Sequence, residues 1–161
     1  MRKVIYIICF FGILIGCVNS NKKESIQKEN RELMVFVLDK LVRDDKCEMT
    51  RIENDSVVLF KYKNLIDSAK NLEFEYWKKE SKIHFGPEQF VIAERSVQSG
   101  EDIFDRYEVI EPIPDGMGPV IFNSKYGVLA FDNGWGMEFH LLSDKNKEEF
   151  ELPLISSLYN N

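Results

Sequence analysis

Strict alternation of apolar and polar side chains in the middle of the chain is the feature that most constrains its fold. Leu72, Phe74 and Tyr76 alternate with Glu73 and Glu75, and a period of two places the apolar set on a buried face and the acidic set in water. A helix would scatter the same side chains around its axis. This segment therefore predicts a β-strand in a half-buried sheet.

Other strand-like runs surround this segment and are separated by breaks rich in Gly, Pro and Asn. They lie at 57–62, 82–85, 90–93, 105–111, 120–122, 127–131, 137–142 and 150–154. The sequence Asp132-Asn133-Gly134 favours a tight hairpin between two of them, because Asn and Gly tolerate a positive φ. Most of the chain after residue 57 is therefore predicted to be an antiparallel sheet.

Before these runs, the apolar residues recur at steps of three and four positions, which is the spacing of one helix face. They are Leu33, Met34, Val37, Leu38, Leu41 and Val42. The dense stretch 33–38 also fits a strand, but the polar pair Asp39-Lys40 restores helical spacing. The sequence therefore predicts an amphipathic helix from near Ser25 to near Asp45, packed on the mostly antiparallel sheet as an α+β fold.

The N-terminus differs in composition from everything after it. Arg2 and Lys3 precede an apolar run from Val4 to Ile15, which is shorter than the ~20 residues that a membrane-spanning helix needs. A basic start followed by a short apolar run is typical of an export signal.

The four residues at the end of this run resemble the lipobox of bacterial lipoproteins. They are Leu14, Ile15, Gly16 and Cys17. The resemblance implies that a peptidase cuts before Cys17 and that acyl chains such as palmitate then anchor this cysteine in a membrane. With the polar composition that follows, it predicts a signal peptide at 1–16, a lipidated tether at 17–29 and one globular domain at 30–161. An uncleaved anchor or an ordinary secretory signal is the alternative.

The residue after the cysteine and two stretches near the C-terminus carry further resemblances. Val18 follows the cysteine where, in enteric bacteria, an aspartate favours retention in the inner membrane, so the resemblance implies delivery to the outer membrane, with the leaflet open. The stretches 118–122 and 134–136 are similar to small Bacteroidetes-type lipoprotein domains, in which a Pro-Ile-Phe-like strand precedes a hairpin and a Gly-rich turn. Those domains have no settled activity, so this likeness implies no mechanism.

The cysteines and the net charge exclude several kinds of chemistry for this chain. With Cys9 in the signal and Cys17 lipidated, the resemblance leaves Cys47 without a partner inside the chain, so no disulfide is expected. Asp45 and Glu48 lie beside Cys47, and nearby carboxylates raise a thiol pKa, so an inert thiol is expected. The net charge is −6, which excludes a broad nucleic-acid-binding surface.

Motifs for catalysis are few. The sequence contains no P-loop, no dinucleotide fingerprint, no nucleophile elbow and no calcium loop. Glu138 and His140 share one face of a predicted strand, as a partial metal site or an acid–base pair requires. A chance pairing is the alternative, because no third ligand is indicated. No metal and no cofactor is predicted.

Trp135 stands between two glycines at a predicted hairpin tip, followed by Met137. An exposed Trp there would anchor a partner protein or a sugar ring, whereas the alternative is a Trp folded back over the end of the sheet. With the lipid anchor, this predicts an envelope interaction module for a protein or glycan, with Trp135 and Met137 as candidate binding residues. A small envelope hydrolase that uses Glu138 and His140 is the alternative function.

Overall fold

The computed structural model describes residues 24–99, 102–149 and 152–159, and these form ten antiparallel strands closed into a barrel. The strands are β1 (Ser25–Val37), β2 (Lys40–Glu53), β3 (Val57–Asn64), β4 (Leu72–Trp77), β5 (Lys82–Phe85), β6 (Glu88–Ser99), β7 (Asp102–Val109), β8 (Val120–Asn123), β9 (Gly127–Asp132) and β10 (Met137–Leu142). Each strand pairs with its neighbours in sequence, and β10 pairs with β1. Closure leaves the sheet without a free edge.

Aromatic side chains fill much of the barrel interior. Phe60 meets Phe122 edge to face at 5.7 Å between ring centroids, and Tyr62 meets Phe74 in the same way at 6.1 Å. The Tyr62 hydroxyl donates to the carbonyl of Val128 and accepts from its N–H, at 2.9 Å in both cases. Such rings each bury a large apolar area, so they supply much of the energy that holds opposite walls of the barrel together.

A second apolar cluster lies on the outer face of the barrel. It contains Phe104, Ile121, Leu129, Ala130, Leu142 and Ile155, with Met34, Tyr126, Leu152 and Leu158 packed against it. The chain reaches this cluster after a short helix, α1 (Asp144–Glu149), and a 3-10 turn at Ile155–Tyr159 lies on it. We call residues 152–159 the C-terminal strap.

The predicted helix between residues 25 and 45 is wrong, and so is the α+β fold class, because this segment forms β1 and the first part of β2 in an all-β barrel. Toward its end β1 is covered on both faces. Leu33 and Val35 face the interior, whereas Met34 packs on the strap cluster and Phe36 contacts the ring of His140 at 4.9 Å. Apolar residues on both faces remove the period of two that identifies a strand.

The turn between β1 and β2 also lacks a sequence signal. Leu38 has a φ of 58°, in the left-handed region that Gly or Asn usually occupies. Leu41 and Val42 complete the helical spacing although both are exposed. Strand pairing on both sides of β1 therefore overrides the local pattern.

The strands predicted between 57 and 142 coincide with β3 to β10, with shifted ends. The strand predicted at 150–154 does not form: residues 152–154 have no regular structure, and Phe150 lies outside the described residues. β1 begins at Ser25, within the segment predicted as a tether, and residues 1–23, including Cys17, also lie outside the described residues. No described helix is long and apolar enough to cross a membrane.

Candidate functional site: the open mouth of the barrel

The two ends of the barrel are built differently. At the closed end, where β1 begins, the fully buried side chain of Arg31 reaches across the neighbouring strands. Its Nη1 donates to the carbonyl of Leu141 at 3.0 Å, and its Nη2 donates to the carbonyl of Tyr126 at 2.6 Å. The same Nη2 lies 3.2 Å from Glu29 Oε2. These partners compensate the buried charge, so Arg31 joins β1 to β10 and to the turn before β9.

The opposite end opens into a cavity of about 540 Å³, which we call the mouth cavity. Phe131 and Phe139 stack in its wall with centroids 4.7 Å apart and nearly parallel planes, and Phe85 packs on Phe74 at 4.8 Å. The remaining apolar lining is Leu33, Leu72, Pro87, Ile113 and Met117. The interior is therefore packed toward the closed end and empty toward the mouth.

Charged side chains line the mouth cavity on two separate sides. Arg43 on β2 and Lys70 on the connection after β3 form one side, whereas Glu88 at the start of β6 and Asp115 before β8 form the other. Asn133, in the connection between β9 and β10, also lines the cavity. We call the first the cationic side of the mouth, where Asp45 and Asp67 lie beside the two basic side chains, and the second the anionic side.

Hydrogen bonds hold the connections that form the mouth. The N–H of Gly118 donates to the carbonyl of Asp132 at 2.9 Å, and the N–H of Met117 donates to Glu88 Oε1 at 3.0 Å. The side chain of Asn133 accepts from the N–H groups of Trp135 and Met137 at 2.9 and 3.1 Å. These bonds tie the connection before β8 to β6 and β9, so the cavity wall is preformed.

Trp135 lies at the rim of the mouth and is 66% exposed, so it does not fold back over the end of the sheet. Met137 is half-buried and packs on the interior core. Other exposed apolar residues lie around the turn between β1 and β2 and in the connection before β8, at the same end of the barrel, namely Val37, Leu38, Leu41, Val42 and Ile113. We call these residues and Trp135 the apolar rim.

Glu138 and His140 lie close together but away from the mouth. His140 Nε2 is 2.6 Å from Glu138 Oε1, and the same oxygen accepts from the N–H of Ile155 in the strap at 2.7 Å. Both side chains are buried on the outer face of β10. The described residues contain no cluster of three or more side chains that could hold a metal. The hydrogen bond from Ile155 to Glu138 therefore fixes the strap to the barrel.

Cys47 is buried in the interior core. Burial raises the pKa of its thiol to about 11, and the Arg31 guanidinium offsets part of this effect. The inert thiol predicted above rests on the neighbouring carboxylates Asp45 and Glu48. The pKa is raised, but burial raises it, and neither neighbouring carboxylate contributes. A neutral, buried thiol is not a nucleophile.

Sequence reasoning missed the mouth cavity. Its lining comes from most of the strands and from four connections, so no local motif contains it. Arg43 lies in the segment predicted as a helix, and Phe85 is the last residue of the strand predicted at 82–85. A closed barrel with its register is needed before these positions can be placed together.

Comparison with known proteins assigns no family to this geometry. The sequence matches no family model and no curated protein, and the barrel matches no solved structure. Function is therefore inferred from the mouth cavity and from the side chains around it.

Proposed function

We propose that the chain is a membrane-anchored envelope protein that binds a small, largely apolar molecule in the mouth cavity. The observation that carries this proposal is the preformed cavity of about 540 Å³, whose walls are mostly apolar and aromatic and carry a few charged side chains at the mouth. Small-molecule sites typically have volumes of about 300–1,000 Å³ and this kind of lining. The apolar side chains of this open cavity stay in contact with water until a ligand covers them, which supports binding as the reason for the cavity.

Blocking the cavity is expected to abolish binding of an uncharged fluorescent probe, N-phenyl-1-naphthylamine. Leu72→Trp places an indole in the cavity and should weaken probe binding by about tenfold or more, or about 1.4 kcal/mol. Fluorescence titration of the chain from Val18 onward measures this, because every described strand pair lies after that residue.

Leu59→Trp is the matched control, because Leu59 lies on the outer face of β3 between the buried Val58 and Phe60. It should bind the probe as the wild type does. Unchanged binding by Leu72→Trp, with the barrel still folded by thermal melting, would show that the cavity is not the site.

The membrane anchor in this proposal depends on the lipobox, with the outer membrane as the proposed destination. Replacing Cys17 by alanine removes the thiol that would carry the lipid, so the protein should lose its acyl mass and leave the membrane fraction. Mass spectrometry and membrane fractionation measure the two effects. Cys9→Ala, also in the predicted signal, should stay acylated and membrane-bound. A cleaved Cys17→Ala protein that remains in the membrane would contradict the anchor.

A second candidate function is docking of an envelope protein or glycan on the apolar rim, and the exposure of Trp135 favours it. Trp135→Ala should reduce capture of a partner from solubilised membranes by about tenfold and leave the melting temperature within a few degrees of the wild type. Trp77→Ala, at the closed-end terminus of β4, is the control. A large drop in melting temperature for Trp135→Ala would assign this side chain to the fold instead.

The hydrolase alternative receives no support from the geometry. Glu138 and His140 are buried under the strap, and Glu138 Oε1 is shared by His140 and the Ile155 N–H. A general acid or base must reach its substrate, and this pair lies outside the mouth cavity. We therefore assign the pair a structural role.

A further inference from the structure

We infer that the ligand of the mouth cavity is an amphiphile with a single anionic group, held on the side of Arg43 and Lys70. This inference rests on the proposed function, because it assumes that the cavity is a binding site. Two observations support this inference. The protein leaves some hydrogen-bond donors at the mouth unused, and the basic and acidic side chains of the mouth lie on different sides.

Arg43 supplies the main contact on the cationic side. Its side chain is 38% exposed, and its Nε lies 3.0 Å from Asp45 Oδ2 as an ion pair without a hydrogen bond. None of the residues that the structure describes forms a hydrogen bond with this guanidinium. A guanidinium carries its donors in a planar fork that fits the two oxygens of a carboxylate or of a phosphate or sulfate ester. Arg43 is therefore able to bind an anion without leaving Asp45.

Lys70 lies on the same side and adds a second positive charge. Its Nζ is 3.3 Å from Asp67 Oδ2, and both side chains are 43% exposed. Exposed pairs of this kind contribute little, because water screens them and the side chains are mobile. Asp67 also accepts from the N–H of Ala69 at 3.0 Å. An anionic ligand can therefore draw Lys70 away from Asp67 at little cost.

The opposite side of the mouth sets the direction of the ligand. Glu88 and Asp115 present carboxylates there, and one oxygen of Glu88 is used by the Met117 N–H. A carboxylate only accepts hydrogen bonds and repels a second anion. An anionic group is therefore driven toward Arg43, and a second anionic group at the other end of the ligand would have no donor. This is the reason for a single anionic group.

The apolar part of the ligand is expected to lie in the apolar interior of the mouth cavity. The walls of the mouth cavity between its charged sides include Phe131, Phe139, Leu33 and Leu72. Transfer of apolar ligand groups from water to these walls supplies the binding energy. A hydrocarbon chain or a fused ring system fits this lining. The ligand class is therefore an amphiphile, with its charge at the rim and its body in the barrel.

A matched set of ten-carbon probes tests the charge. Decanoate, decanol and decyltrimethylammonium compete with N-phenyl-1-naphthylamine at pH 8 for the chain from Val18 onward. We expect decanoate to bind about tenfold more tightly than decyltrimethylammonium. Arg43→Gln should weaken decanoate about tenfold and leave decanol unchanged. Lys70→Gln should weaken decanoate about threefold, because an ammonium lacks the planar fork of donors that binds both carboxylate oxygens.

Arg95→Gln is the matched control, because Arg95 is 68% exposed and does not line the cavity; it should change none of the three affinities. Equal binding of decanoate and decyltrimethylammonium, or an equal effect of Arg43→Gln on decanoate and decanol, would overturn the inference and leave the cavity as a binding site. If neither the dye nor any of the three probes binds, the proposed function fails together with the inference.

Discussion

Replacing Gly127 by alanine is expected to lower the free energy of unfolding by about 3 kcal/mol or more. A Cβ at this position would lie 2.7 Å and 2.8 Å from ring atoms of Phe60 and 2.8 Å from the Tyr62 hydroxyl. Both rings are packed inside the barrel, where overpacking forces side chains out of their preferred rotamers. Gly127 also has a φ of +86°, which an alanine adopts only with strain. Urea denaturation of the two proteins measures the difference.

Gly136→Ala separates the two contributions. Gly136 has a φ of +75°, and a Cβ there would meet nothing within 4 Å. This variant should therefore lose only the backbone contribution, about 1 kcal/mol. Equal losses for the two variants would show that the contact with Phe60 and Tyr62 is not what makes Gly127 necessary.

Replacing Arg31 by methionine is expected to cost about 3 kcal/mol of stability. Methionine keeps much of the volume, but it leaves the carbonyls of Leu141 and Tyr126 without their donor and Glu29 without its ion pair. Each buried acceptor that loses its partner carries a desolvation penalty. The loss is expected as a shift in the midpoint of urea unfolding with an unchanged slope.

Arg95→Met controls for the loss of a positive charge. Arg95 lies 3.7 Å from Asp105 and is largely exposed, so its replacement should change stability by about 0.5 kcal/mol or less. A loss no larger for Arg31→Met than for Arg95→Met would mean that the closed end of the barrel does not depend on this guanidinium.

The sequence predicted β4 correctly and β1 wrongly, and the two strands differ in where their polar residues stand. In β4 the acidic residues Glu73 and Glu75 mark the solvent side, and the alternation is plain. In β1 the outer face is covered by the strap and by His140, and the inner face carries the charged Arg31. Both features of β1 depend on residues far away in the sequence, so no window of neighbouring residues predicts them.

The candidate site was predictable only in its least specific part. Trp135 between two glycines marked a hairpin tip at the mouth, and the structure leaves this side chain exposed. Arg43 and Phe139 face the same cavity from different strands, and their proximity is a consequence of barrel closure. The pair Glu138 and His140 met the spacing rule for one strand face, but the strap that buries it is not visible in the spacing.

The order of strand pairing also sets the order in which the barrel can assemble. Each strand from β2 to β10 pairs with the strand before it, whereas β1 must also find β10 from the other end of the chain. Loop closure costs more entropy for this distant pairing than for the pairing of consecutive strands. Until the distant pair forms, β1 and β10 are open edges on which another chain can add a strand. Protection against aggregation during folding therefore depends on the pairing of β1 with β10. The strap is bonded to β10 through Glu138 and lies beside this strand pair.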